Sequence, residues 1–183
     1  MGIPTNATRV FKGILYDVYH WEQELFDGSK ETFEGLKRKP SVQVIALIND
    51  KLIILEEEQP NIGKFLAIPG GVFEDNESPE EAARRELLEE TGCVSDDMVF
   101  WKKHDFSVDI DWGTHYFIAK NCKKVSEPRP DPGERFEIKE VSFEEFLEKT
   151  TSEEFRNKHL SNIIGLIKLD KNKVEEFRKK LFE

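Results

Sequence analysis

Three glutamates within residues 84–92 have the side chains and the spacing to bind a metal ion. Glu86, Glu89 and Glu90 stand three and four positions apart, so a helix would carry them on one face. Like-charged neighbours at these spacings repel each other by about 0.2–0.5 kcal/mol per pair. In a chain with 37 acidic and 27 basic residues, such a cluster could also be a solvated helix face. The choice between these interpretations depends on the surrounding residues.

The surrounding residues extend the cluster to a longer pattern over residues 71–93, GVFEDNESPEEAARRELLEETGC. This segment follows G-x5-E-x7-R-E-U-x-E-E-x-G-U, in which U is a bulky apolar residue. The residues at the specified positions are Gly71, Glu77, Arg85, Glu86, Leu87, Glu89, Glu90 and Gly92. The last position holds Cys93, which is smaller than the usual aliphatic residue. On these residues the chain resembles the Nudix hydrolase family, and the solvated-face interpretation loses its support.

A hard divalent cation explains why carboxylates would gather on one helix face. Mg²⁺ takes oxygen ligands in octahedral geometry and keeps several waters. Glu86 and Glu90 are one helical turn apart and can reach the same ion, and Glu89 borders that site. The resemblance adds the backbone carbonyl of Gly70 as a ligand and allows Mn²⁺ in place of Mg²⁺. We therefore expect a magnesium site at these four residues.

Other residues around the helix have supporting roles by the same resemblance. Arg85 is expected to take part in catalysis by orienting the neighbouring glutamates through ion pairs, and Glu77 is expected to support it. Gly70 and Gly71 let the backbone turn tightly and come close to a pyrophosphate, although a simple loop turn would have the same sequence.

Hydrolysis also needs a general base for the attacking water. The family places this base in the motif, where Glu89 is the candidate, or on a later loop. That loop carries Asp131, Glu134 and Glu137. Glu134 matches the position of a loop glutamate in members that hydrolyse ADP-ribose. It is the second candidate, as base or additional metal ligand, and the alternative is an ordinary solvated carboxylate.

The order of segments over residues 9–148 resembles that of ADP-ribose pyrophosphatases and nucleotide-sugar hydrolases. The resemblance implies Mg²⁺-dependent cleavage of the pyrophosphate in ADP-ribose or a nucleotide sugar. Members that act on ADP-ribose usually carry a proline after the motif, where Asp109 stands here. The substrate therefore stays open, with a nucleoside triphosphate pyrophosphatase and a non-catalytic nucleotide sensor as alternatives. Phe65, Trp112 and Tyr116 are the candidates for stacking on a base.

Composition restricts the partners of the protein. A net charge of −10 and a pI near 5.1 argue against nucleic acids and anionic membranes, which need basic patches. Cys93 and Cys122 lack the spacing of a zinc or disulfide framework, which favours a cytoplasmic setting. We therefore expect a small nucleotide as the partner.

Residue patterning predicts an α+β protein with a mixed sheet, which the resemblance makes a Nudix fold with the sheet between helices. A strand-rich extension (residues 1–39) precedes the Nudix domain (40–150), and a helical segment (151–183) follows it. Ser78, Pro79 and Glu81 predict the start of the motif helix, and Gly92 its end. By resemblance the extension forms the interface of a homodimer. The C-terminal helices either serve a partner or cover the sheet.

Overall fold

The fold is built from two main β-sheets and helices that pack on the larger one. The computed structural model describes residues 2–106, 109–130 and 132–183. Its strands are β1 (Thr8–Phe11), β2 (Asp17–Glu24), β3 (Lys30–Lys37), β4 (Ser41–Ile48), β5 (Lys51–Gln59), β6 (Gly63–Ala67), β7 (Cys93–Val94), β8 (Asp97–Asp105), β9 (Ile110–Asp111), β10 (Gly113–Lys120), β11 (Lys123–Lys124) and β12 (Arg135–Val141). Its helices are α1 (Pro79–Thr91), α2 (Phe143–Thr150), α3 (Lys158–Lys168) and α4 (Lys171–Phe182).

The larger sheet is mixed, and two of its strands diverge. The strand order is β12-β5-β4-β10-β8, with β6 also paired to β5. β10 runs parallel to β4, and the other pairs are antiparallel. β4 and β5 pair at Leu47–Leu52 and Ile48–Lys51, next to their turn, whereas β5 pairs with β6 from Leu55 onward. The separation of β4 from β5 leaves room for a cleft between β4 and β6.

Helices cover both faces of this sheet. Alternate residues of a strand point to opposite faces, so Val44 and Ala46 of β4 pack with Leu87 of α1, whereas Ile45 and Leu47 pack with α2, α3 and α4. The buried residues that these three helices contribute include Phe146, Leu160, Ile164, Phe177 and Leu181. The predicted α+β Nudix fold, with a mixed sheet between helices, is confirmed. Within the described ranges, none of the helices is both long and apolar enough to span a membrane.

The motif helix α1 begins and ends at the predicted signals. The Ser78 side chain accepts a hydrogen bond from the N–H of Glu81, whose carboxylate accepts one from the N–H of Ser78. Pro79 opens the helix, and Gly92 ends it by donating its N–H to the carbonyl of Leu88. The buried residues of α1 are Ala82, Ala83, Glu86, Leu87, Glu90 and Thr91. Two glutamates of the motif therefore lie on the packed side of the helix.

The N-terminal extension forms most of the smaller sheet, in the order β1-β2-β3-β9. β9 pairs in parallel with β3, through Leu36–Ile110 and Lys37–Asp111, and leads directly into β10. The carbonyl of Asp109 accepts a hydrogen bond of 2.9 Å from the N–H of Leu36. Asp109, which stands where members acting on ADP-ribose usually carry a proline, therefore connects the two sheets through its backbone. Through it, the extension is anchored beside β10.

Candidate active site

A cleft of about 530 Å³ opens between β4 and β6, within the size range of small-molecule sites. Its walls come from the N-terminal extension, the motif, strands β4, β5, β6 and β10, the loops beside them, the segment before α3 and the start of α3. The lining residues include Arg38, Gln43, Glu57, Gln59, Phe65, Gly70, Gly71, Glu90, Phe106, Trp112, Glu134, Arg156, Asn157, Lys158 and His159.

Two glycines bring the backbone against the buried glutamates. Oε2 of Glu90 accepts a hydrogen bond of 2.7 Å from the N–H of Gly70. A Cβ on Gly70 would lie 2.2 Å from the carbonyl oxygen of Val42, and a Cβ on Gly71 would lie 2.2 Å from Oε1 of Glu86. The clash at Gly70 is with backbone atoms, so glycine is required there, whereas a side chain at position 71 would displace the Glu86 carboxylate.

Arg85 holds the motif carboxylates in place. Its Nε and Nη2 donate to the two carboxylate oxygens of Glu77 at 2.8 and 3.0 Å. Nη1 donates to Glu86 at 2.7 Å and to Glu89 at 3.0 Å, and Nη2 also donates to the carbonyl of Val72. These bonds, those to Glu77 above all, raise the pKa of Arg85. Since every N–H of the guanidinium has a protein acceptor, Arg85 is suited to positioning the glutamates and not to contacting a substrate.

The cleft contains carboxylates that repel one another. Burial raises the pKa of Glu90 to about 9, and the charges of Glu86, Glu57 and Glu134 add to this effect. Burial also raises the pKa of Glu57 to about 7, assisted by the charge of Glu134 and opposed by that of Arg156. A divalent cation would favour the charged form of each carboxylate and so relieve both effects.

The donor set suits Mg²⁺ by its chemistry. Among the described residues, no group of three or more His, Cys, Asp or Glu side chains already converges in the way that holds a metal. Glu90 instead accepts from the N–H of Gly70, and Glu86 accepts from Arg85. Both carboxylates are hard oxygen donors beside the cleft, which is the ligand type that Mg²⁺ prefers.

The two candidate bases lie in different surroundings. Glu134 lines the cleft, and its Oε1 accepts a hydrogen bond of 3.0 Å from Nε2 of Gln59. The side chain of Glu89 is 46% exposed, pairs with Arg85 and lies outside the cleft lining. The geometry therefore favours Glu134 over Glu89 as the group that meets a substrate.

The other acidic residues of the later loop do not take part in this arrangement. Glu137 pairs with Lys139 at the surface. Asp131 lies outside the residues that the structure describes.

A second group of lining residues is aromatic and cationic. The rings of Phe106 and Trp112 stack with centroids 3.9 Å apart and an interplanar angle of 7°. The guanidinium of Arg38 lies 4.3 Å from the ring centroid of Trp112. Nε of Arg38 and Nε1 of Trp112 are buried and have no hydrogen-bond partner within the described part of the chain. Both atoms are donors, so acceptor atoms of a ligand would satisfy them.

Of the three aromatic candidates, Phe65 and Trp112 line the cleft and Tyr116 does not. Tyr116 is fully buried in the core beneath the helices, and its hydroxyl donates to Oδ1 of Asn157 at 3.3 Å. The prediction that Tyr116 stacks on a base is therefore wrong, because its ring is inaccessible to a ligand. Its hydroxyl instead contacts Asn157, which does line the cleft.

Glu57 is a site residue that the sequence analysis missed. It is 7% exposed, between Glu56 and Glu58, which are both exposed. Because alternate residues of a strand share a face, Glu57 lies on the side of Leu55 and Ile53. The available signal was a run of three glutamates directly after residues that are buried on both faces of the strand, although alternation does not show which glutamate is covered. Arg38, Phe106 and Arg156 had no comparable signal, since each is a single residue that only the fold brings to the cleft.

Comparison with known proteins agrees with this geometry. Residues 37–162 match the NUDIX domain family. The chain is 31% identical over 153 residues to an ADP-ribose pyrophosphatase of Bacillus subtilis (strain 168), covering 80% of this chain and 81% of the relative. It is 29% identical over 150 residues to a methanol dehydrogenase activator of Bacillus methanolicus, covering 78% of this chain and 80% of the relative. A solved structure described as an ADP compounds hydrolase shares the fold, with a TM-score of 0.70 at 21% identity over 90% of this chain and 91% of that chain. The chain therefore belongs to the Nudix family of pyrophosphohydrolases.

Proposed function

We propose that this protein uses Mg²⁺ to cleave the pyrophosphate of a nucleoside diphosphate joined to another moiety, with ADP-ribose or a nucleotide sugar as substrate. The observation that carries the proposal is that one cleft joins buried carboxylates to stacked aromatic rings and an arginine. The carboxylates suit metal-assisted phosphate chemistry, and the Phe106–Trp112 stack suits a nucleobase. The similarity to an ADP-ribose pyrophosphatase over most of both chains supports this choice of substrate.

Different residues of the chain would bind the metal ion and accept the proton. Mg²⁺ held by Glu86, Glu90 and the carbonyl of Gly70 would neutralise charge on the phosphate oxygens and lower the pKa of the attacking water. Glu134, held by Gln59, accepts a proton from the attacking water while the water oxygen forms a bond to phosphorus. The bond from phosphorus to the bridging oxygen breaks, and the leaving phosphate keeps the electron pair. Two monophosphates result.

We further propose that the protein is a homodimer in the cytoplasm. The N-terminal extension exposes large apolar side chains, which are Val10, Phe11, Ile14, Leu15, Phe26 and Phe33. Exposed apolar patches of this kind are typical of protein interfaces. Cys93 and Cys122 are both free thiols, which suits a reducing compartment. Analytical ultracentrifugation tests the dimer: Phe11→Asp should shift the protein toward monomer, and a wild type that sediments as a monomer would contradict it.

The substrate proposal is tested by following product release from ADP-ribose, nucleotide sugars, dinucleoside polyphosphates and nucleoside triphosphates. Each compound is incubated with Mg²⁺ or Mn²⁺ and with wild type, Glu90→Gln or Glu176→Gln. Glu176 is exposed on α4, so its variant controls for the loss of one acidic group. We expect turnover of ADP-ribose or nucleotide sugars that is lost in Glu90→Gln and kept in Glu176→Gln.

The other outcomes identify the alternatives. Preferred turnover of triphosphates would replace the proposed substrate with a nucleoside triphosphate. Binding of these compounds without turnover would indicate a nucleotide sensor that retains the Nudix motif.

A further inference from the structure

Arg156 reaches the cleft from the segment between α2 and α3, a part of the chain that the reaction above does not use. Its N–H donates to the carbonyl of Leu66 on β6 at 2.9 Å, and the N–H of Leu66 donates to the carbonyl of Glu154 at 2.9 Å. Phe155, between them, is fully buried in the core. The segment is therefore attached to the edge of β6, which fixes the backbone from which Arg156 extends.

The side chain of Arg156 is held by two contacts. Its guanidinium lies 4.8 Å from the ring centroid of Phe65, and Nη1 donates to Oε1 of Gln59 at 3.2 Å. The amide nitrogen of Gln59 donates in turn to Glu134. A carboxylate can only accept and a guanidinium can only donate, so both partners require this orientation of the amide. Gln59 thus links Arg156 to the candidate base.

The guanidinium keeps unused donors at the cleft. Among the described residues, Gln59 is the acceptor that the Arg156 side chain reaches, and a guanidinium has five N–H donors. Arg85 differs, because its donors are all taken by protein acceptors. An arginine with free donors beside a cleft is placed for an anionic ligand, and its planar fork matches the oxygens of a phosphate.

The positive charge of Arg156 lies in a cleft that is otherwise rich in carboxylates. Glu57, Glu90 and Glu134 line the cleft, and a nucleoside diphosphate would bring further negative charge into it. A protein cation beside these carboxylates would offset the repulsion that remains after metal binding. The charge of Arg156 opposes the rise in the pKa of Glu57, and Gln59 connects Arg156 to Glu134 by hydrogen bonds.

We propose that Arg156 is a substrate-binding residue that donates hydrogen bonds to the phosphate oxygens of the nucleoside diphosphate and, through Gln59, sets the position of Glu134. This inference rests on the proposed function, because it concerns the same cleft. A simpler role exists, in which Arg156 only balances the charges of Glu57 and Glu134. The two roles differ in one respect: a residue that binds phosphate affects ligands with phosphate and leaves ligands without it unchanged.

The experiment compares ADP with adenosine, which differ in the diphosphate alone. Isothermal titration calorimetry measures the affinity of both for wild type, Arg156→Gln, Arg156→Lys and Arg178→Gln, each without added metal. Arg178 lies on α4 and pairs with Glu144, so Arg178→Gln removes one positive charge outside the cleft. We expect Arg156→Gln to bind ADP about tenfold more weakly, as for the loss of a charge-assisted hydrogen bond, with adenosine affinity unchanged. Arg156→Lys should restore part of the loss.

A kinetic measurement completes the test. Arg156→Gln should raise KM for ADP-ribose with Mg²⁺ by about tenfold, and it should lower kcat less than KM rises. Equal ADP affinity in wild type and Arg156→Gln, or a parallel loss of ADP and adenosine, would overturn the inference. These outcomes are separate from failure of the proposed function, because the titration requires no turnover. If no compound of the panel is cleaved but ADP binding depends on Arg156, the phosphate contact stands and the reaction does not.

Discussion

The carboxylate group of the Nudix motif and the aromatic and cationic group of the cleft are held in different ways. The carboxylate group depends on the motif helix, where Arg85 holds Glu77, Glu86 and Glu89 from within a short stretch of sequence. The aromatic and cationic group includes Arg38, Phe106, Trp112 and His159, which come from the extension, the β8–β9 connection, the position between β9 and β10, and helix α3.

This difference indicates how the protein separates its chemistry from its selectivity. Hydrogen bonds within the motif hold the carboxylates, so their arrangement depends little on the rest of the fold. Packing between distant segments holds the aromatic rings, so their arrangement can differ among proteins with the same motif. Loss of a motif residue should therefore reduce kcat, whereas loss of an aromatic residue should mainly raise KM.

The largest effect is expected for Glu86→Gln, which removes a predicted metal ligand and an ion-pair partner of Arg85. With several kcal/mol of transition-state stabilisation lost, kcat should fall by about 10²–10³-fold. Mg²⁺ should raise the melting temperature of wild type by mass action and leave that of Glu86→Gln unchanged. Steady-state kinetics and differential scanning fluorimetry measure the two effects. Identical wild-type melting curves with and without Mg²⁺ would contradict a metal site at these residues.

A smaller effect is expected for Arg85→Lys, which keeps the charge and removes the two-pronged contact with Glu77. The glutamates would remain but lose their fixed orientation, so kcat should fall by about 10–100-fold, as for other residues that orient metal ligands. Glu77→Gln should lower kcat through the same contact. In a double-mutant cycle the two losses should not add, because both variants break one interaction. Additive losses would show that Arg85 acts independently of Glu77.

For the aromatic group, Trp112→Ala should raise KM for ADP-ribose by about tenfold. The change removes the ring that stacks on Phe106 and that the Arg38 guanidinium contacts. kcat should change little. Phe182→Ala is the control, since it removes an aromatic ring of α4 that contacts Phe143 and does not line the cleft. A fall in kcat for Trp112→Ala at unchanged KM would mean that the aromatic group acts on the chemistry itself.

The placement of the motif carboxylates on and just before one helix could be predicted from the sequence, because it depends on neighbouring residues; their metal-binding and catalytic roles stay predictions. Capping residues and fixed spacing then decide which side chains share a face, as Ser78 and Glu81 show at the start of α1. The aromatic group was predicted in part. Phe65 and Trp112 line the cleft, but Tyr116 belongs to β10, whose residues are buried on both faces, so alternation could not show which face was accessible.

Residues supplied by long-range pairing were beyond sequence reasoning. Arg156 depends on the pairing of its segment with Leu66, so its position cannot be derived from its neighbours in the chain. Glu134 is held by Gln59, which lies 75 positions away, so the family resemblance and not its neighbours made it a candidate. Glu57 is an intermediate case, because three glutamates in a row follow the buried residues of β5, but alternation does not show which of them is covered.

The smallest effect concerns the pH dependence of folding at the aromatic end of the cleft. His159 stacks on His104 with ring centroids 3.2 Å apart. Burial lowers the pKa of His159 from 6.5 to about 4, and the charges of His104 and Lys102 add to this effect. The unfolded chain therefore binds a proton more readily than the folded chain between these two values, so stability is fully present above pH 6.5 and is lost as the pH falls toward 4.

His159→Gln removes this titration and should flatten the stability profile in that window. The ring is only partly buried, so solvent screening reduces the contribution to no more than about 1 kcal/mol. Urea denaturation at pH 7.5, 6, 5 and 4 measures the free energy of unfolding of both proteins. The difference between wild type and His159→Gln should change with pH between 6.5 and 4 and stay constant above 6.5. Parallel profiles throughout would contradict a lowered pKa of His159 in the folded protein.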